Sequence, residues 1–428
     1  MRVGEETRPQ RRRFAPRPSS VREARRMIRD SLLDAHREDL VETAELLVSE
    51  IVTNALVHAG TAIDVAVMLR NGGLRIEVTD GSPHVPSPRA YGPNAGTGRG
   101  LRLLEELVDE WGVLPDDSGK TVWFQIACCS SDDDGPHAQA ETPRAKPETV
   151  TVELQQVPLL LHEAWRQHAE SLLREYLLAS LDLDSPVDPI ALHAEASDAL
   201  ALLAENIPAS GVSEDPSEVL VTATEPLVTQ ELVDLPVPVR SVPHFATLER
   251  MMVSALEMVE SGDFLTPPTQ PELQGLRAWL CDQVMSQSRG AQPSPWSPLH
   301  EPPPQYPHRL AWDAEPVRLA EVGMVAADDQ DRIIAVSPRL LRLLGYDDPG
   351  ELVGRRLVDL IPARFRQAHL AGFTMHFLTG RAPLVGRAVV VPALHRNGAE
   401  VEVELTIDKV LTDDGRCVFV ASMEPAPA

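Results

Sequence analysis

Glu50, Asn54 and His58 stand four residues apart in a stretch, about Asp39 to Ala59, that is otherwise almost wholly apolar. On a helix such spacing shares one face. A carboxylate, a carboxamide and an imidazole therefore form a narrow polar stripe on a helix whose Leu40, Val41, Leu47, Val48, Ile51 and Val52 predict burial on most sides. Buried polar groups need partners, and a cavity holding a hydrated cation and phosphates supplies them. A solvated stripe is the plainer alternative.

The elements around the stripe favour the cavity. Ile63 to Leu69 and Leu74 to Asp80 alternate with period two around Asn71-Gly72-Gly73, the pattern of a hairpin. Parity puts Asp80 on the face of Leu74, Ile76 and Val78. A carboxylate on that face is costly unless it meets a donor, and an adenine amino group is one candidate; an Asp-Gly turn is the plainer reading. A loop rich in Pro and Gly follows from Gly81 to Gly98, and helical spacing resumes over Gly100 to Val108. Gly96-Thr97-Gly98-Arg99-Gly100-Leu101 marks that helix entry. Glycines there let the backbone approach phosphates, and exposed amides favour anions. In this order the parts make a nucleotide pocket.

Glu50 to Ala59, Asp80-Gly81-Ser82-Pro83, Gly98-Arg99-Gly100-Leu101, Trp111-Gly112 and Gly119 to Phe124 resemble, in order and spacing, the Bergerat-fold ATPases, and among them the anti-sigma-factor serine kinases of bacteria. The likeness runs from about Arg13 to Ala127. It implies an α/β sandwich that uses ATP and Mg2+. In it Asn54 would hold the Mg2+ that bridges the phosphates, Glu50 would be the general base on the attacking hydroxyl, and Asp80 would take the adenine amine. Gly96, Gly98 and Gly100 would wrap the phosphates, with Gly81, Thr97, Arg99, Leu101 and Thr121 as further nucleotide contacts and His58 as a wall residue. Such a site works by positioning and charge neutralisation, since phosphoryl transfer asks little covalent help of the protein. Asp80-Gly81-Ser82 departs from the Asp-x-Gly-x-Gly of histidine kinases, and few residues precede the Glu50 helix to form a phosphoacceptor helix. His162-Glu163 resembles a phosphoacceptor pair by dipeptide alone, and a surface histidine on the Leu159 to Ala179 helix is the plainer reading. The serine-kinase subclass is the one expected.

At 428 residues, 43% of them apolar, the chain has room for two to four domains. Its formal charge of -25 argues against nonspecific nucleic-acid binding. The run Arg8, Arg11, Arg12, Arg13, Arg17, Arg22, Arg25, Arg26 and Arg29 suits a solvated first helix and tail, or a dock for an acidic partner. Ser20-Val21-Arg22-Glu23 predicts a capping box opening that helix. Cys128, Cys129, Cys281 and Cys417 have neither metal-ligand nor disulfide spacing. With no signal peptide and no run long enough to span a bilayer, a cytoplasmic protein without membrane contact is expected.

Composition divides the chain into an ATP-binding domain at 1-128, an acidic linker at 129-147, a helical region of unknown role at 148-289, a Pro-rich linker at 290-315 and a last domain at 316-428. In the helical region, apolar spacing predicts helices over Val157 to Ala179, Pro189 to Glu205, Phe245 to Ser261 and Pro271 to Gln287. In the last domain, a hairpin over Met324 to Val336, short helices, a longer helix ending at Thr379-Gly380, and strands at Val385 to Leu394, Glu400 to Ile407 and Cys417 to Ala421 suggest an antiparallel sheet. Gly345-Tyr346, Leu352-Val353-Gly354, Leu360-Ile361-Pro362 and Asn397-Gly398 resemble PAS sensor domains. Leu360-Ile361-Pro362 followed by Arg366 and His369 is similar to a run in haem-binding oxygen sensors of that family, where histidine is the axial ligand. A packed or surface histidine is the plainer reading of His369.

The whole is expected to be an α+β signalling protein. The resemblances imply an ATP-dependent serine/threonine kinase, under PAS control, that phosphorylates an anti-sigma-factor antagonist supplied in trans, with sigma-factor release downstream and a homodimer as the working unit. The other readings are a nucleotide-bound module that sequesters a partner without turnover and a haem-based gas sensor.

Overall fold

The computed structural model describes residues 9-70, 73-81, 104, 107-116, 119-126, 148-181, 188-212, 222-261, 266, 269-298, 312-380, 384-412 and 416-426. Gly96, Thr97, Gly98, Arg99, Gly100 and Leu101, the acidic linker and most of the Pro-rich linker lie outside them, as does the side chain of His58.

In the first unit, β1 (Gln10–Phe14), β2 (Ile63–Arg70), β3 (Gly73–Asp80), β4 (Glu110–Asp116) and β5 (Gly119–Ile126) form an antiparallel sheet in the order β1-β2-β3-β5-β4. The predicted hairpin is present, paired from Arg70↔Gly73 to Asp64↔Thr79. Helices α1 (Ser19–Asp34) and α2 (Val41–Ala59) cover one face, where Ile28, Leu32, Leu47, Val48 and Val52 meet Ile63, Val65, Ile76, Val78 and Phe124. Leu46, 43% exposed, lies off the buried face of α2. The predicted capping box is absent. Pro18 already has helical dihedrals, so the helix starts ahead of Ser20, whose hydroxyl donates instead to the Ala15 carbonyl at 2.6 Å.

The second unit corrects an all-helical expectation. β6 (Thr149–Pro158), α3 (Leu159–Leu181) and α4 (Pro189–Asn206) are followed by β7 (Thr229–Pro238), α5 (Val242–Ser261) and α6 (Pro271–Gln287), so a strand and two helices occur twice. The strands pair antiparallel from Thr149↔Pro238 to Pro158↔Thr229. A two-stranded ribbon leaves alternate amides outside the ladder, which is why Pro236 and Pro238 are tolerated. Pro189 and Pro271 open their helices, as expected, and the Asp188 carboxylate accepts from the Ile190 amide at 2.9 Å. Trp165, Leu172, Leu200, Phe245, Leu248 and Leu280 fill the core between the helices. The start of the Pro-rich segment lies along this unit: the Trp296 amide donates to Gln155 and the Trp279 indole to the Ser294 carbonyl.

In the third unit, β8 (Met324–Asp328), β9 (Ile333–Val336), β10 (Ala388–Leu394), β11 (Glu400–Leu411) and β12 (Cys417–Pro425) make an antiparallel sheet in the order β10-β11-β12-β8-β9. One face packs Val317, from the short α7 (Glu315–Arg318), against Ala326, Ala335 and Val418. The other carries α8 (Pro338–Leu344), whose Leu340, Leu341 and Leu344 join Val403, Ala421 and Met423. The long α9 (Ala363–Thr379) ends, as predicted, at Gly380 with φ 72.

A series of helix contacts links the units: α9 packs on α3, α3 on α4 and α4 on α2. Val358 and Leu370 share a buried cluster with Trp165 and Leu172, while Leu177 and Ile190 belong to the cluster of the first unit. Gln367 caps the start of α3. Its carbonyl accepts from the Leu160 amide at 2.9 Å, and its amide group donates to Glu225 at 2.5 Å. At the other junction Gly60 ends α2 with φ 58, and a Cβ there would lie 2.6 Å from that of Ala194 on α4. Gly60→Ala is therefore expected to lower stability by about 1–3 kcal/mol through left-handed backbone and overlap together. Denaturant unfolding of the full chain checks this, and an unchanged midpoint would show that α4 yields freely.

Candidate functional site

Two elements converge where α2 ends. Thr61, just beyond the helix, accepts a hydrogen bond from the Gly81 amide at 2.8 Å, which fastens the end of β3 to the end of α2. Asp80, the residue before, is 4% exposed on the core face of β3 with Val78 and Ile76. Glu50 and Asn54 sit one turn apart on α2, both half-buried on a helix whose Leu47, Val48, Ile51, Val52 and Ala55 are buried. The half-buried carboxylate and carboxamide share one stripe of the helix, at the border between its buried face and exposed Leu46 and Thr53.

β5 completes the base of this region. Asp80 stands directly opposite Lys120, and Thr79 opposite Thr121. Lys120 shares the core face with Val122, Phe124 and Ile126; its ammonium is buried and lies 3.1 Å from Asp80 Oδ1. Thr121 falls on the opposite face, where its hydroxyl pairs with that of Thr79 at 2.8 Å. The residue standing with Asp80 is thus Lys120, which the sequence reading passed over in favour of Thr121. Its signal was available: counting in twos from Phe124 along β5 lands on Val122 and then Lys120. Gly119 comes so close that a Cβ there would lie 1.7 Å from the Asp80 carbonyl oxygen, so only glycine permits this approach of β5 to β3.

Mg2+ suits the donors present. Asn54 offers a neutral oxygen, Glu50 stands a turn away, and among the described residues no group of three His, Cys, Asp or Glu forms a closed metal cage. A hard cation held by one or two side chains and phosphates needs no such cage.

A second polar centre lies between α9 and the connector helices. Asp331 is fully buried with φ 64, and its carboxylate accepts from His369 Nε2 at 2.7 Å and pairs with Arg356 at 3.4 Å. Arg356, 6% exposed in its side chain, also reaches Glu272 in the first turn of α6 and Gln270 Oε1 at 2.6 Å. Burial works against the arginine's charge, but the Glu272 hydrogen bond and the charges of Asp331, Glu272 and Asp359 outweigh it and raise its pKa. His369 as placed does not fit an axial haem ligand, because its Nε2 is committed to Asp331. The candidate phosphoacceptor His162 is 4% exposed, inside the α3 face that packs the core, and not at the surface.

Comparison with known proteins names the first and third units. Residues 14–126 match the histidine kinase-like ATPase domain and residues 321–424 the PAS domain. The chain thus carries a nucleotide-type ATPase domain at one end and a sensor domain of the PAS class at the other. More particularly, a 50-residue stretch is 46% identical to the CO-responsive transcriptional regulator RcoM of Rhodospirillum rubrum, covering 12% of this chain and 21% of that one. The chain therefore spans about a fifth of that relative's length. Among solved structures, it is similar to the Rhodobacter sphaeroides LOV protein, at 18% identity and TM-score 0.23 over 27% of this chain and 65% of that one. It is also similar to the RsbU and RsbW domains of a Mycobacterium tuberculosis protein, at 22% identity and TM-score 0.23 over 28% of this chain and 32% of that one. Among the described residues no helix is long and apolar enough to cross a membrane.

Proposed function

We propose that the chain is a PAS-controlled serine/threonine kinase of the anti-sigma-factor type. The observation that carries this reading is the junction at Thr61 and Gly81, which brings the end of a helix bearing Glu50 and Asn54 against a strand ending in buried Asp80. In this reading the three groups divide the work of phosphoryl transfer. Asp80 accepts the exocyclic amine of adenine. Asn54 holds Mg2+, which when bound neutralises charge on the phosphates. Glu50 takes the proton from the serine hydroxyl of a protein substrate as its oxygen bonds to the γ-phosphorus and the bond to the β-phosphate oxygen breaks, leaving ADP and a phosphoserine. The substrate is an anti-sigma-factor antagonist supplied in trans, and its phosphorylation governs release of a sigma factor. The helices linking α9 to α2 supply a route by which the sensor domain biases the site.

Incubation of the full chain with Mg-ATP and candidate antagonists, followed by phosphoserine detection, tests this. Transfer of one phosphate to the antagonist is the expected result. Stable complexes with no transfer to any antagonist would replace the kinase with a partner-sequestering module.

A second reading, a CO-responsive haem sensor, is favoured by the identity shared with RcoM. It is opposed by the bond between His369 and Asp331. No Soret band after haem addition to the full chain is the result expected here.

A further inference from the structure

Past α6 the chain turns at Gly290, φ 89, and comes back along the helix as Ala291-Gln292-Pro293-Ser294-Pro295-Trp296. Each proline fixes its own φ and pushes the residue before it toward extended backbone, so the segment has little conformational freedom even before it docks. Its contacts with α6 converge on one residue. Gln283, 2% exposed, accepts from the Ser294 amide at 3.0 Å through Oε1 and donates to the Ser294 hydroxyl at 2.9 Å through Nε2. Trp279 Nε1 donates to the Ser294 carbonyl at 3.1 Å. Two residues on, the Trp296 amide donates to the Gln155 carbonyl of β6 at 2.9 Å, and its ring leans on that of Trp279 with centroids 5.8 Å apart. Gln283 is held ready for this grip: Gln287 donates to the same Oε1 at 3.0 Å and is itself bonded to both backbone groups of Glu153 in β6. Ser294, Pro295 and Ser297 stay exposed, so the segment adds little to the core. What holds it is recognition of one residue's backbone and hydroxyl together, beside an aromatic anchor.

We propose that this face of α6 is a peptide-recognition site for uncharged Pro-Ser-Pro-Trp segments, and that residues 291–297 of the chain are its resting occupant. Recognition of proline-rich peptides uses a segment already extended, an aromatic surface beside the prolines, and side chains that bond its backbone. All three are present in the contacts of Trp279, Gln283 and Trp296. Selectivity rests on Ser294. Alanine there would leave the Nε2 of a buried carboxamide without its acceptor, which costs more than the bond itself. The bonds that hold the segment run between uncharged groups, so binding is insensitive to salt, unlike docking on a run of charges. A partner carrying the same sequence has to displace the chain's own copy, which the turn at Gly290 keeps at high effective concentration. The site is therefore closed at rest and opens to a partner when the segment is loosened.

The test titrates a labelled peptide of residues 290–298 against the full chain by fluorescence anisotropy. Trp296→Ala, which loosens the resident segment, is expected to bind the peptide with a dissociation constant of about 10–100 μM. Wild type should bind it at least about tenfold more weakly, because its own segment competes. Replacing Ser294 of the peptide by alanine should weaken binding to Trp296→Ala by about fivefold, the worth of one hydrogen bond to a buried group. Adding Gln283→Ala to that chain should erase the difference between the two peptides, as expected when the hydroxyl and the carboxamide act as a unit. No saturable binding to Trp296→Ala would overturn the proposal. So would equal binding to wild type, or a preference for serine that survives Gln283→Ala. Should Trp296→Ala fail to fold, Ser294→Pro, which removes both groups that Gln283 grips, takes its place and the same outcomes decide.

Discussion

Glu50→Gln is expected to slow phosphoryl transfer by about 10²- to 10⁴-fold, the usual worth of a positioned general base. Affinity for Mg-ATP should stay within about threefold, because glutamine is nearly isosteric and as good a helix former. The contrast between the two readouts comes from where Glu50 lies. It is half-buried on α2, a turn before Asn54, among side chains that are sealed in the core. The substitution neither opens a cavity nor strands a buried charge, so stability should hardly move. Removing Asn54 should do the reverse, weakening binding through the phosphates. Initial rates of phosphoserine formation, set beside calorimetric affinities on the same samples, separate the two. Equal transfer by Glu50→Gln and wild type would mean that Glu50 is not the base.

The parts of this molecule read most easily from sequence are those whose cause is local. The α2 helix, the β2–β3 hairpin, and the prolines opening α4 and α6 each rest on spacing within one element or one turn. β7 is hidden for a reason also visible locally: Pro236 and Pro238 speak against a strand, and only knowledge that the sheet has two members removes the objection. Ser20 misled because a capping motif is an offer that the preceding residue can forestall, as Pro18 does. Lys120 was legible by parity alone, yet a lysine on a core face is improbable until a carboxylate is known to stand opposite. Gln367 and Arg356 lie beyond such reasoning. Their partners at Leu160 and Glu272 are brought near by docking, which no local pattern encodes.

Arg356→Leu is the change expected to cost the most stability, about 3–5 kcal/mol, the range for breaking a buried pair by removing one partner. Asp331 is fully buried, and Glu272 is 14% exposed in its side chain, so the substitution leaves two carboxylates short of their counter-charge. The two losses differ in place. The pair with Asp331 lies within the PAS unit, at the turn between β8 and β9 that also receives His369. The pair with Glu272 joins that unit to α6. Glu272→Gln should therefore loosen docking while leaving the PAS unit folded, and Asp331→Asn should unsettle the unit itself. Amide hydrogen exchange distinguishes them: faster exchange confined to the first turns of α3 and α6 marks undocking, and faster exchange across β8 and β9 marks local unfolding. If the PAS unit governs the kinase through α9, α3 and α4, undocking by Glu272→Gln should also remove any effect of the sensor on phosphoryl transfer while sparing transfer itself. A variant that undocks by exchange yet keeps full regulation would mean that control passes by another path.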